Sequence, residues 1–175
     1  MFNLAMIHKI RIGISSCLLG NNVRYDGGNR VEYYLRDTLG QIVEWVPVCP
    51  ESDSGLSVPR EAMHLIGDYE AARLVTIHTG IDHTERVTQW ARVKLTEFSH
   101  LDLCGFVFKA RSPSCGVNDA EIVTPSGSTA GKGAGLFAEA VMKCFPALPI
   151  EDEEGIRNAA SRQNFFKRVF AYQRH

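Results

Sequence analysis

Three short stretches of the chain are apolar over most of their length: KIRIGIS (Lys9 to Ser15), QIVEWVPV (Gln41 to Val48) and LCGFVFK (Leu103 to Lys109). Their length and their branched and aromatic residues predict buried strands. Between and after them, apolar positions recur at helical spacing in RVEYYLRDTL (Arg30 to Leu39), DHTERVTQWARVKLTEFSHL (Asp82 to Leu101) and KGAGLFAEAVMKCF (Lys132 to Phe145). ARLVTIHTG (Ala71 to Gly80) predicts one more strand. Strands separated by helices of this length predict an α/β fold, a largely parallel sheet flanked by helices. The 175 residues are enough for one domain with its own core, so neither disulfides nor a structural metal are needed for folding.

The polar punctuation after these strands carries the chemistry. Cys17 follows the first predicted strand, Cys49 the second, and Cys115 comes a few residues after the third, in ARSPSCGV. The carboxyl ends of parallel strands share one edge of the sheet, where ligands bind, so the fold is expected to bring these three thiols together. No C-x2-C pair is present, which argues against a zinc knuckle. Three convergent thiolates suit a 4Fe-4S cluster with one iron left without a protein ligand, since the usual cluster takes four cysteines. Cys104 lies inside the third strand and Cys144 near the end of a helix, and both are expected to be packing groups.

Composition narrows the partners. With 19 basic and 20 acidic residues and no block of lysine or arginine, the chain lacks the electrostatic footprint of a DNA-binding protein. No segment approaches the ~20 apolar residues of a membrane span. The start, MFNLAMIHKIRIGISS, has no basic region ahead of its apolar patch and no small-residue cleavage site, and reads as no signal peptide. A cytoplasmic location is expected, where thiols stay reduced.

Polar groups and glycines surround the three cysteines: LLGNNVRYDGG after Cys17, PESDSGLSVPR after Cys49, and RSPS before Cys115. Glu51 is the acid or base candidate there. Ser112 and Ser114 can donate hydrogen bonds, and Arg24, Asp26 and Arg60 can orient a polar ligand.

The segments SSCLLGNNVRYDG, CPESDSGLSVPR and KARSPSCG, in this order, resemble the signature segments of the thiouracil desulfurase family, and the resemblance runs from about Lys9 to about Pro149. It implies an enzyme that removes sulfur from 2-thiouracil, 4-thiouracil or a thiolated uridine without net redox change, releasing hydrosulfide. It also implies an oxygen-sensitive 4Fe-4S cluster on Cys17, Cys49 and Cys115, whose open iron takes the substrate sulfur. In that reading Glu51 activates water or relays protons, Ser112 hydrogen-bonds or protonates the substrate ring, and Ser16, Arg24, Asp26, Arg60 and Ser114 bind substrate. The tail from Phe145 resembles the junction of longer members that carry a second helical domain. Residues 1–149 then form the desulfurase-like unit, and residues 150–175 a linker and C-terminal helix, with Phe166, Val169 and Phe170 at helical spacing. Membership in that longer group would add 4-thiouridine or its monophosphate to the candidate substrates.

Two other readings compete with this one. A non-catalytic nucleobase- or nucleotide-binding module, with zinc or no metal, would bind without releasing sulfide. A thiol-dependent hydrolase or transferase needs a base beside one cysteine, and no histidine falls within the three motifs. The glycine-rich GSTAGKGAG misses the Walker A pattern at two positions, although its glycines could present N–H groups to an anion at the start of the next helix. The six histidines show no metal-ligand spacing, and the acidic run Glu151 to Glu154 reads as a solvated turn.

Overall fold

The apolar runs form one four-stranded parallel sheet. In the computed structural model, which describes residues 9–68 and 71–173, strands β1 (Ile10–Ser15), β2 (Val43–Val48), β5 (Leu103–Phe108) and β8 (Ile150–Asp152) lie in the order β2-β1-β5-β8. The stretch 1–8, read as no signal peptide, lies outside the described residues, as does His175. All three neighbour pairs are parallel, with Gly13 beside Phe106 and Ile12 beside Trp45. Gly13 has to be glycine, because a Cβ there would stand 2.2 Å from the Phe106 ring.

Helices cover both faces of this sheet, as its two-sided burial requires. On one face Ile12, Ile14, Cys104 and Val107 pack against Phe165 and Val169 of α5 (Ala159–Tyr172). On the other, Phe106 and Phe108 stack on each other at 4.1 Å, and Phe106 packs edge-on against Phe137 of α3 (Leu136–Cys144). Phe98 of α2 (Thr84–Phe98) closes that cluster. The protein is thus a single α/β domain around a parallel sheet. Among the described residues no helix is long and apolar enough to cross a membrane.

A second, mixed sheet was not anticipated beyond one strand. It contains β3 (Met63–Ile66), β4 (Arg73–Thr76, within the expected Ala71 to Gly80 run), β6 (Ala120–Val123) and β7 (Thr129–Gly133), in the order β4-β3-β6-β7. Only β3 and β6 run parallel, and the sheet buries a small cluster of Leu65, Leu74, Ala120 and Ile122 under Val87 of α2.

Four local expectations are corrected. The helix expected over Arg30 to Leu39 shrinks to irregular turns at Tyr34–Thr38 and Leu39–Gln41. The Arg30 and Glu32 amides instead donate to the carbonyls of Cys17 and Leu18, which keeps this stretch laid along the first cysteine turn. The helix expected from Lys132 starts only at Leu136, because Lys132 and Gly133 belong to β7. Cys144 is exposed rather than packed. The acidic run is structured: Ile150–Asp152 is β8, and Glu153, at the start of α4 (Glu153–Arg157), is 3% exposed. From residue 150 onward the chain therefore supplies a strand of the parallel sheet and two helices, with Phe165 and Val169 fully buried and Phe170 exposed.

Candidate active site at the carboxyl edge of the parallel sheet

A cavity of about 470 Å³ opens where β1, β2 and β5 end, and its wall includes Cys17, Cys49 and Cys115. Each thiol is placed by a different local device. Cys17 sits on a 3-10 turn, Ser16–Leu19, which Gly20 closes in the left-handed conformation (φ 94°) by donating its N–H to the Cys17 carbonyl. Cys49 is the N-cap of the one-turn helix α1 (Pro50–Asp53). Its N–H donates to Asp53 Oδ2 at 2.9 Å, and Pro50 takes the first helical position, where a missing N–H costs nothing.

Cys115 is held in a tight loop built by Ser112 and Gly135. Ser112 Oγ accepts the N–H groups of Ser114 (3.2 Å) and Cys115 (3.1 Å). The amides of Leu136, Phe137 and Ala138 donate to the carbonyls of Pro113 and Ser114, so α3 caps itself on the cysteine loop. The glycine-rich approach to α3 thus spends its N–H groups on this loop, and the anion-site expectation is replaced by a structural one. Gly135 packs so closely that a Cβ would lie 2.5 Å from the Ser114 carbonyl carbon.

Glu51 projects from α1 into the same cavity and is held at both oxygens. Oε2 accepts Arg60 Nε (3.0 Å) and Nη2 (2.7 Å), and Oε1 accepts the Ser114 hydroxyl at 2.8 Å. The pair is nearly buried, with side-chain exposures of 7% for Arg60 and 13% for Glu51. Ser112, Ser16, Arg24 and Arg60 line the cavity. Ser114 lies fully buried behind Glu51 and is not part of the wall. Asp26 also stands outside the wall, on the turn beside Arg24, where its Oδ1 accepts the Gly28 amide.

The electrostatics follow from burial. Burial pushes the Cys115 thiol well above its ordinary value, against which a hydrogen bond from Ser15 works in the opposite direction. Cys17 is pushed up to about 11, chiefly by burial and by neighbouring Cys49, with Lys109 and Arg24 pulling it down. Arg24 Nε is buried without a hydrogen bond; Asp26 Oδ1 lies 3.4 Å away but off its donor direction.

Sequence reasoning missed Ser15, Tyr25, Arg30, Met63, Ile77, Lys109 and Arg111 on the wall. Lys109 could have been found, since it opens the KARSPSCG motif. Met63 could not, because it comes from β3 of the unanticipated second sheet, and Ile77 sits in the turn that follows β4, inside the expected Ala71 to Gly80 run. Cys104 is elsewhere, lining a larger cavity of about 880 Å³ with Lys9, Arg11 and Asp102 at the opposite edge of the sheet. That cavity holds one thiol, so its size does not make it the chemical site.

Three cysteines on one cavity wall are the donor type that an iron-sulfur group takes. Among the described residues no three His, Cys, Asp or Glu groups are arranged to ligate one metal ion, around which thiolates would stand about 3.8 Å apart at metal–sulfur bonds of about 2.3 Å. In a cluster each thiolate takes its own iron, so its ligands stand further apart than around one ion. Arg24, paired with Asp26 but with its buried Nε making no hydrogen bond, brings positive charge to the wall where thiolate ligands would bring negative charge.

Fold and site together define an α/β protein with a thiol-lined pocket at the strand ends, carrying one buried carboxylate. The sequence profile of the 2-thiouracil desulfurase family matches residues 12–153. The chain belongs to that family. It is 32% identical over 109 residues to the uncharacterized protein YbbK of Bacillus subtilis (strain 168), covering 59% of this chain and 71% of that one. Among solved structures it resembles the 4Fe-4S-dependent thiouracil desulfidase TudS, with a TM-score of 0.65 and 26% identity over 89% of this chain and 99% of that chain.

Proposed function

We propose that this chain hydrolyses the thiocarbonyl group of a thiolated uracil, releasing uracil or uridine and hydrosulfide. The supporting observation is that Glu51 and the three strand-end cysteines share one cavity, whose volume lies in the ~300–1,000 Å³ range of small-molecule pockets. Cys17, Cys49 and Cys115 are the residues that would hold a 4Fe-4S cluster. When bound, the cluster supplies a Lewis-acidic iron that polarises the C=S bond.

The chain's own groups do the rest. Glu51, oriented by Arg60 and Ser114, takes a proton from the attacking water. Ser112 Oγ accepts two backbone amides, which leaves its own proton free to donate to a ring oxygen or nitrogen. Arg24 and Ser16 line the space for the polar edge of the ring. Water supplies the oxygen, sulfur departs with the hydrogens, and no electrons are transferred.

The test is anaerobic. Reconstituted protein is mixed with 2-thiouracil, 4-thiouracil, 4-thiouridine and its monophosphate, and hydrosulfide and desulfurised product are measured. Equal amounts of both support the reading. Binding without sulfide release would instead favour a nucleobase-binding module.

A further inference from the structure

Lys109, on the cavity wall, forms a nearly buried ion pair with Glu153 that has no role so far. Lys109 directly follows β5, so its side chain starts from the same sheet edge as the cysteines. Its ammonium donates to Glu153 Oε1 at 2.5 Å and to the Ala110 carbonyl at 2.9 Å. Glu153 Oε2 accepts the Ala110 amide at 2.6 Å, which fixes the carboxylate as well. Two of the three ammonium donors are thereby used.

The pair is oriented. Lys109 lines the cavity and Glu153 does not, and their side chains are 15% and 3% exposed. The positive end of this fixed dipole therefore faces the pocket. The Lys109 amide also donates to Ser15 Oγ at 2.9 Å, and Ser15 lines the same cavity as the three thiols.

Desulfuration leaves an anion in a buried, thiol-lined pocket, where an uncompensated charge is costly. Arg60 is committed to Glu51, while Lys109 keeps a free donor. We propose that Lys109 binds the hydrosulfide anion formed in the pocket, and that Glu153 is the positioning residue that aims the ammonium. This rests on the desulfuration reading.

The test uses the anaerobically reconstituted chain, its iron content, and titration with sodium hydrosulfide followed by visible absorption. Lys109→Gln should keep its iron and bind hydrosulfide about tenfold or more weakly, the loss of one charge-assisted hydrogen bond. Lys109→Arg should stay within about threefold of the unmodified chain. Glu153→Gln, which leaves the ammonium unaimed, should fall between. Equal hydrosulfide affinity in Lys109→Gln and the unmodified chain overturns the proposal, as does a Lys109→Arg as weak as Lys109→Gln, which would mean that shape rather than charge matters. If Lys109→Gln fails to fold, Glu153→Gln decides, and unchanged affinity there overturns the proposal. An unmodified chain that takes up no iron overturns the desulfuration reading and this proposal together, an outcome distinct from the others.

Discussion

Arg60 grips a single carboxylate oxygen of Glu51 with two guanidinium nitrogens, at 3.0 and 2.7 Å, while the buried Ser114 hydroxyl holds the other oxygen from behind. The arginine is itself braced by the carbonyls of Val23 and Ser57. Three loops from different parts of the chain are thus pinned to one carboxylate, and that carboxylate faces the thiols.

Breaking the pair from one side should therefore cost far more than removing it. Arg60→Met leaves Glu51 buried without its partner and should destabilise the fold by about 3 kcal/mol. The double variant Arg60→Met/Glu51→Gln should recover more than half of that loss. Urea unfolding of the two single variants and the double variant measures the coupling. Additive losses would show that the pair contributes nothing beyond its separate parts.

Glu51→Gln keeps the shape of the side chain and removes its basicity. Iron content should match the unmodified chain, while the rate of sulfide release falls by about 10²- to 10⁴-fold. Single-turnover rates measured anaerobically check this, and a variant as fast as the parent would remove Glu51 from the chemistry.

Gly135→Ala tests the contact that sets the Cys115 loop. The backbone at Gly135 is extended (φ −66°, ψ 153°), so alanine meets no conformational strain there. The added methyl would meet the Ser114 backbone at 2.5 Å, and overpacking of this kind costs about 1–3 kcal/mol. Thermal unfolding should fall, and cluster uptake should fall with it because the loop must move. Unchanged iron binding would show that the loop tolerates displacement.

Thiol reactivity has a pH dependence with a definite sign. Cys17, pushed up to about 11, has about one thiolate per thousand molecules at pH 8 in the metal-free reduced protein, and that fraction rises about tenfold per pH unit until the thiol titrates. Full burial pushes the Cys115 thiol well above its ordinary value too. Exposed Cys144 should therefore be alkylated first by iodoacetamide, with Cys17 and Cys115 lagging. Peptide mapping over time tracks each site. A single fast thiol among Cys17, Cys49 and Cys115 would favour thiol-nucleophile chemistry instead.

Much of this arrangement is legible in the sequence because short runs of branched and aromatic residues announce strands. β1, β2 and β5 are apolar runs, and the turns at their carboxyl ends had to lie at one edge, so Cys17, Cys49 and Cys115 could be brought to one place from the sequence. The second sheet left weaker traces. β7 reads TAGKG, and β6 and β3 are four residues each, too short for a period to show. Glu153 looked solvated within an acidic run, because only the fold brings Lys109 to it. Gly135 belongs to a stretch whose glycines could have presented N–H groups to an anion, because a glycine needed for close backbone approach and one needed for an anion look alike in sequence.

The central claim is that Cys17, Cys49 and Cys115 hold one iron-sulfur group in this pocket. It is tested most directly by iron and acid-labile sulfide per chain after anaerobic reconstitution, on the unmodified protein and on Cys17→Ala, Cys49→Ala, Cys115→Ala and Cys104→Ala. The account predicts about four of each in the unmodified protein and in Cys104→Ala, and loss in each of the other three. Zinc or no metal in the unmodified protein, or full iron retained after removal of any of the three cysteines, would contradict it.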